Sequence, residues 1–290
     1  MHHPRPRRLL VTAVAVAALA TSAAACGSSS SDGAATPTTK AAGGDGTQVT
    51  TEQTEPPSDA PKLEILVSND DGYAARGIST LVDALTTLPN VHVTVVAPLT
   101  QQSGTGGKTT EGKLAVTDVT VASGFAAKAV AGYPSDAVNT AFDVLGLKPD
   151  VVITGINEGQ NLGPAVDASG TVGAARAAAA HGVPALATSQ GAGKPVDYES
   201  ATPFITDWLE DHRAALAAHS DKVQVTNLNV PSCAKGKLRG LLEIPPQLGG
   251  DFVTSLGAGD CSSTKAKADL VDDVTAFLNG YATIDVIPST

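Results

Sequence analysis

The residues best equipped for chemistry in this 290-residue chain stand together in ILVSNDDGYAARG, where an apolar run ends in Asn69, Asp70 and Asp71 before Gly72. Side-by-side carboxylates repel each other unless a proton or a cation lies between them. Oxygen donors of this kind suit a hard divalent ion, Mg²⁺, Mn²⁺ or Ca²⁺, rather than zinc. Ile65, Leu66 and Val67 read as a strand buried on both faces, the pattern of a parallel sheet. Ligands of open α/β sheets gather at the carboxyl ends of strands, which is where the aspartates fall.

Two more apolar runs end in polar loops. APLTQQSG supplies Gln101, Gln102 and Ser103, and TGINEGQNLG supplies Asn157 and Asn161. If the three strands are neighbours, carboxylates, a hydroxyl and an amide oxygen meet at one edge of the sheet. Taken singly, each has a plainer reading: a capping turn for NDDG, a turn residue for Ser103, a loop brace for Asn157. Ser169-Gly170-Thr171 opens an alanine-rich segment. Backbone N–H groups and two hydroxyls there form a ready anion site, although Ser169 reads equally well as a helix N-cap.

The elements that must position these residues alternate. Ile78, Leu81, Val82, Leu85 and Leu88 recur at helical spacing, and VHVTVVAP follows as a strand. Residues 113–130 form a β excursion, and a helix opens at Pro134 and runs through Leu145. A strand at 150–154, the alanine-rich helix to Gly182, the strand VPALATS, a helix at 200–219 and the strand VQVTNLNVP complete the alternation. Beyond Pro231 lie a Gly/Pro-rich arm, a short helix near 272–279 and a last strand, YATIDVI. This order predicts an α/β doubly wound sheet with right-handed crossovers and a C-terminal β-rich arm.

The N-terminus reads as an address. MHHPRPRRLL is basic, VTAVAVAALA is apolar but too short to span a bilayer, and small residues precede Cys26. The arrangement resembles a bacterial lipobox, which implies cleavage after residue 25 and a lipidated Cys26. Residues 26–61 are dominated by Gly, Ser, Thr, Pro and acidic residues with scarcely a large aliphatic one, a composition that predicts a flexible tether. Residues 62–290 are then the catalytic body, exported and held at the outer face of the cytoplasmic membrane. The formal net charge of −10 argues against a nucleic-acid scaffold. In an exported protein, Cys233 and Cys261 are candidates for a disulfide.

ILVSNDDG, APLTQQSG, GYPSDAV, PDVVITGINEGQNLG, SGTVGAA, GVPALATS, NLNVP and GYATIDVIP together resemble the SurE family of metal-dependent phosphatases, in family order and across almost the whole body. The resemblance implies a Rossmann-type fold and 5′-nucleotidase activity, with a divalent metal on Asp70, Asp71, Ser103 and Asn157. It places Asn161 and Ser169-Gly170-Thr171 near the phosphate, with Asn69 beside them, and implies a homodimer or higher oligomer with the arm as a contact. Either aspartate could act in catalysis. The chain departs from the family in the polar, uncharged LTQQ before Ser103 and at Ala177, where a glutamate is common. The alternative is an exported lipoprotein that binds a phosphorylated ligand without turnover. QSGTGGKT approaches a Walker A loop but lacks its first glycine and a following helix; ATSQG lacks the first glycine of a nucleophile elbow.

Overall fold

A computed structural model describes residues 59–290 apart from residue 248. The expected leader, Cys26 and most of the expected tether lie outside the described residues. The last tether residues already lie against the body: Asn90 Nδ2 donates to the Ala60 carbonyl and Arg213 Nη1 to that of Pro61, each at 2.8 Å.

The strands in chain order are β1 (Leu63–Ser68), β2 (Val91–Pro98), β3 (Val116–Thr120), β4 (Ala126–Val130), β5 (Val151–Glu158), β6 (Ala185–Gln190), β7 (Val225–Val230), β8 (Leu241–Glu243) and β9 (Ala282–Ile287). They form one sheet in the order β3-β4-β2-β1-β5-β6-β7-β9-β8. From β4 to β7 every pairing is parallel, while β3 and β9 run antiparallel to β4 and β7. The chain winds outward from β1 in one direction through β2 and β4, and in the other through β5, β6 and β7. The topological switch point therefore lies between β1 and β5, where open α/β sheets bind ligands.

The larger helices are α1 (Arg76–Thr86), α2 (Pro134–Asp143), α3 (Gly170–Ala180) and α4 (Thr202–Ala217); the arm adds α5 (Phe252–Ser255) and α6 (Asp273–Leu278). Ile65 and Val67 pack with Ile78, Leu81 and Leu85 of α1 and Ile205 and Leu209 of α4 on one face. Leu66 and Val152 pack with Ala137 and Val138 of α2 and Val172, Ala175 and Ala178 of α3 on the other. Burial of consecutive strand residues on opposite faces explains the continuous apolar runs. The expected helix 78–88 starts two residues earlier and stops at Thr86; Leu88 falls in the turn that Asn90, at φ 54°, carries into β2.

One strand differs from its sequence reading. β5 was expected to end at Thr154, yet it continues to Glu158 with a register shift against β6 between Thr154 and Asn157. Gly155 permits this. Its φ is 121°, and a Cβ there would lie 2.2 Å from the Thr188 carbonyl oxygen. Only glycine accepts both the backbone angle and the close approach. Bulges re-aim side chains beside active sites, and this one precedes Asn157.

Candidate active site

Asp70 and Asp71 leave the end of β1 into different surroundings. Asp70 is 2% exposed. Its Oδ1 accepts a hydrogen bond from the Thr171 hydroxyl, and its carboxylate is met by the backbone N–H groups of Thr171 and Gly170 at the start of α3. Burial nevertheless pushes its carboxyl above the usual range. Asp71 is partly open; its Oδ2 accepts the Glu158 backbone N–H at 3.0 Å. Burial first, then the Asp70 charge, pushes the Asp71 carboxyl up to about 6. Both shifts mark carboxylates short of positive charge.

The neighbouring loops close on this pair. The Gln102 N–H donates to the Asp70 carbonyl at 2.7 Å, tying the end of β2 to the end of β1. Ser103 is exposed on the same cleft, its hydroxyl accepting from Gln101 Nε2. At the end of β5, Asn157 Nδ2 donates to the Gly159 carbonyl at 2.6 Å, while Asn157 Oδ1 is buried without a partner. Asn69 repeats the pattern: Nδ2 donates to the Gly72 carbonyl at 2.9 Å, and Oδ1 is buried and unpartnered. An unpaired buried acceptor costs about 1–3 kcal/mol, so these oxygens await a donor or a cation. Among the described residues no three His, Cys, Asp or Glu gather as a metal cage. Two carboxylates with amide and hydroxyl oxygens form a different, all-oxygen donor set that fits Mg²⁺, Mn²⁺ or Ca²⁺. These residues suit such an ion.

The turn expected to receive phosphate is engaged otherwise. Ser169 caps α3, its Oγ accepting the Val172 N–H at 3.1 Å, and Thr171 is fully buried with its hydroxyl on Asp70. The helix start thus holds an anion that belongs to the protein. Gly170 makes this possible, because a Cβ there would come within 2.7 Å of Asp70 Cβ. Asn161 is buried, its Nδ2 donating to Ser189 Oγ at 2.9 Å. Its backbone is clamped from β7: Asn229 Oδ1 accepts the Asn161 N–H at 2.7 Å, and the Asn227 and Asn229 side chains both donate to its carbonyl. Those two asparagines were legible in NLNVP as i and i+2 on one strand face, but sequence reasoning gave them no role.

A cleft of about 630 Å³ opens from Asp71 and Ser103, with Glu158, Arg76, Val196 and Tyr198 among its walls. None of those four had been singled out, and they come from separate stretches: the end of β5, the start of α1 and the turn before α4. Burial, and then the charges of Glu158 and Asp71, push the Tyr198 phenol well above its usual range, so it remains a hydrogen-bond donor. Arg76 lies over the Tyr198 ring and pairs with Glu199 at 2.5 Å.

The structure pairs Cys233 with Cys261, their Cα atoms 5.5 Å apart. His181, at the end of α3, stacks on Phe142 and contacts Asn139, away from the aspartates. Lys108, the lysine of the Walker-like QSGTGGKT, lies in an exposed loop with no helix after it.

The family model described as "Survival protein SurE" matches residues 65–248. A Thermosipho africanus protein named 5′-nucleotidase SurE is 40% identical over 180 residues, 61% of this chain and 69% of the relative. One of the same name from Halobacterium salinarum is 42% identical over 182 residues, 60% and 67% of the respective chains. Among solved structures, SurE from Aquifex aeolicus superposes with a TM-score of 0.61 at 25% identity, covering 78% of this chain and 94% of its own. The match takes in Asp70, Asp71, Ser103 and Asn157, and with the shared fold it shows that the chain belongs to the SurE family.

Proposed function

We propose that the protein is a divalent-metal-dependent phosphate monoester hydrolase that acts on nucleoside 5′-monophosphates outside the cytoplasmic membrane. The observation that carries this reading is the pair Asp70 and Asp71 at the end of β1, beside the end of β5 where Asn157 Oδ1 is buried without a partner, at the switch point between the two strands. Asp70, Asp71, Ser103 and Asn157 would hold the ion. The chemistry a bound divalent ion supplies is Lewis acidity toward a phosphoryl oxygen and toward water. Around it the protein divides the labour. Asp70 is locked by Thr171 and the start of α3, a carboxyl with no room to move. Asp71 borders the cleft, so it is the aspartate placed to orient water and accept its proton. Asn161, buried with its Nδ2 on Ser189 and its backbone held by β7, fixes the course of the loop that carries Asn157.

The extracytoplasmic setting is supported by the basic and apolar leader ending at Cys26. Assembly into a homodimer or higher oligomer is supported by the arm, where Phe252, Val253 and Leu256 are exposed. The test uses purified protein stripped with chelator and then supplied with Mg²⁺ or Mn²⁺. Phosphate release from nucleoside 5′-monophosphates is expected to require the metal and to fall at least 100-fold in Asp70→Asn, a loss of the size seen when a transition-state-stabilising group is removed. Nucleotide binding without release, alike in wild type and variant, would leave only a binding protein.

A further inference from the structure

If phosphate is released at Asp70 and Asp71, the alcohol that leaves must occupy the cleft opening from Asp71 and Ser103. That cleft carries a carboxylate which neither the metal set nor the fold requires. Glu158 is exposed on the cleft wall, and its backbone N–H is fixed on Asp71 Oδ2 at 3.0 Å. The side chain is therefore rooted one hydrogen bond from the reaction centre. It has no cation partner among the described residues: Arg76, on the same wall, is committed to Glu199. Its interacting neighbour is the Tyr198 hydroxyl, a donor.

A third carboxylate beside buried Asp70 and half-buried Asp71 raises the local negative charge, which disfavours any leaving group with a second anionic group near this wall. What an ionised carboxylate does accept is neutral donors, and its two oxygens match two adjacent hydroxyls. A carboxylate on a ribose hydroxyl is the solution nucleotide-binding α/β folds use elsewhere. Beyond the carboxylate, Val196 and the flank of Tyr198 offer apolar surface to a base, and a volume of about 630 Å³ accommodates a nucleoside.

Building on the phosphatase reading, we propose that Glu158 is a specificity-determining residue that accepts the vicinal ribose hydroxyls of the substrate, with Tyr198 orienting its carboxylate. The enzyme then prefers ribonucleotides to 2′-deoxyribonucleotides and to phosphate esters without a diol. The test compares kcat/KM for adenosine 5′-monophosphate and its 2′-deoxy analogue in wild type, Glu158→Gln and Tyr198→Phe. Each value is divided by the same variant's value on p-nitrophenyl phosphate, which has no diol. Wild type is expected to favour the ribonucleotide 10- to 100-fold, Glu158→Gln to bring the ratio to within about threefold of one, and Tyr198→Phe to fall between them. An unchanged ratio in Glu158→Gln overturns the proposal. Calorimetric binding of adenosine against 2′-deoxyadenosine reads the same contact without turnover. A ribose preference in binding that Glu158→Gln abolishes, in a protein that hydrolyses no ester, would sustain the assignment and sink the phosphatase reading. Equal binding of both nucleosides overturns the assignment.

Discussion

Asp70 and Asp71 are adjacent in the chain, yet one is locked and the other borders open space, and the difference originates in a third residue, Gly170. The carboxylate of Asp70 can enter the N-terminus of α3 only because residue 170 has no side chain: a Cβ there would lie 2.7 Å from Asp70 Cβ and 2.9 Å from its Oδ2. In Gly170→Ala the helix keeps its Ser169 cap, so the displacement falls on Asp70. A misplacement of about 1 Å at a reacting centre costs on the order of 100-fold. Phosphate release by Gly170→Ala should drop by about that factor, and calorimetric Mg²⁺ affinity should weaken with it. Unchanged metal affinity would show that Asp70 is not a ligand. The direct bond from Thr171 to Asp70 also explains why the SGT turn is not a simple phosphate cradle. A sequence shows a hydroxyl at a helix start, not the anion the fold delivers to it.

Among the elements, β7 holds the loop after β5 through Asn227 and Asn229, and β9 lies against β7 with Asp285 directly opposite Asn227. Asp285 Oδ2 and Asn227 Oδ1 are both buried without partners. Burial, then the charge of Asp273, pushes the Asp285 carboxyl up to about 7, while the Asn227 amide lowers it in part. An unfolded aspartate titrates near 3.9. Between those values the native state binds the extra proton, so this residue lowers stability as pH rises from about 4 to 7 and adds no further slope above that. Asp285→Asn should remove this component. The stability difference between variant and wild type, from urea unfolding, should grow by about 2–4 kcal/mol from pH 4 to pH 8. A difference that stays flat across this range would show that Asp285 ionises normally. The β1 and β5 runs, with the turn residues after them, made the sheet and the gathering of Asp70, Asp71 and Asn157 at the ends of neighbouring strands legible, because both are local patterns. Glu158, Tyr198 and Arg76 were not legible, since a crossover and the turn before α4 bring them together and no local period records that. The bulge at Gly155 was hidden for a related reason: it is a conflict with Thr188 on another strand.

At the scale of the molecule, the arm after β7 is a long excursion that must be held in place without a core of its own size. Its apolar clusters are small: Val274 and Phe277 pack on Leu162 of the loop after β5, and Leu242, Leu270 and Ala276 form another. The Cys233–Cys261 bridge, spanning a sequence separation of 28, closes most of that excursion. A loop of this length gains about 3–4 kcal/mol in the chain-entropy account. The closed segment reaches the active-site loop through Gln160, whose Nε2 donates to the Ser255 and Gly257 carbonyls at 3.2 and 2.7 Å, and through α5, which packs against the turn at 163–168. Gln160 stands between Asn157 and Asn161, so slack in the arm is transmitted to both. Reduction of the bridge, or Cys233→Ser with Cys261→Ser, should lower stability by about 3 kcal/mol. Amide exchange should accelerate first at 252–257 and at 159–161, while β1, β2 and β6 stay protected, since local opening follows the least-buried contacts. Exchange that accelerates in the arm but not at 159–161 would show that Gln160 carries no load between them. Acceleration in both would make the disulfide part of the device that holds the candidate site, because Gln160 is hydrogen-bonded to two carbonyls of the closed segment.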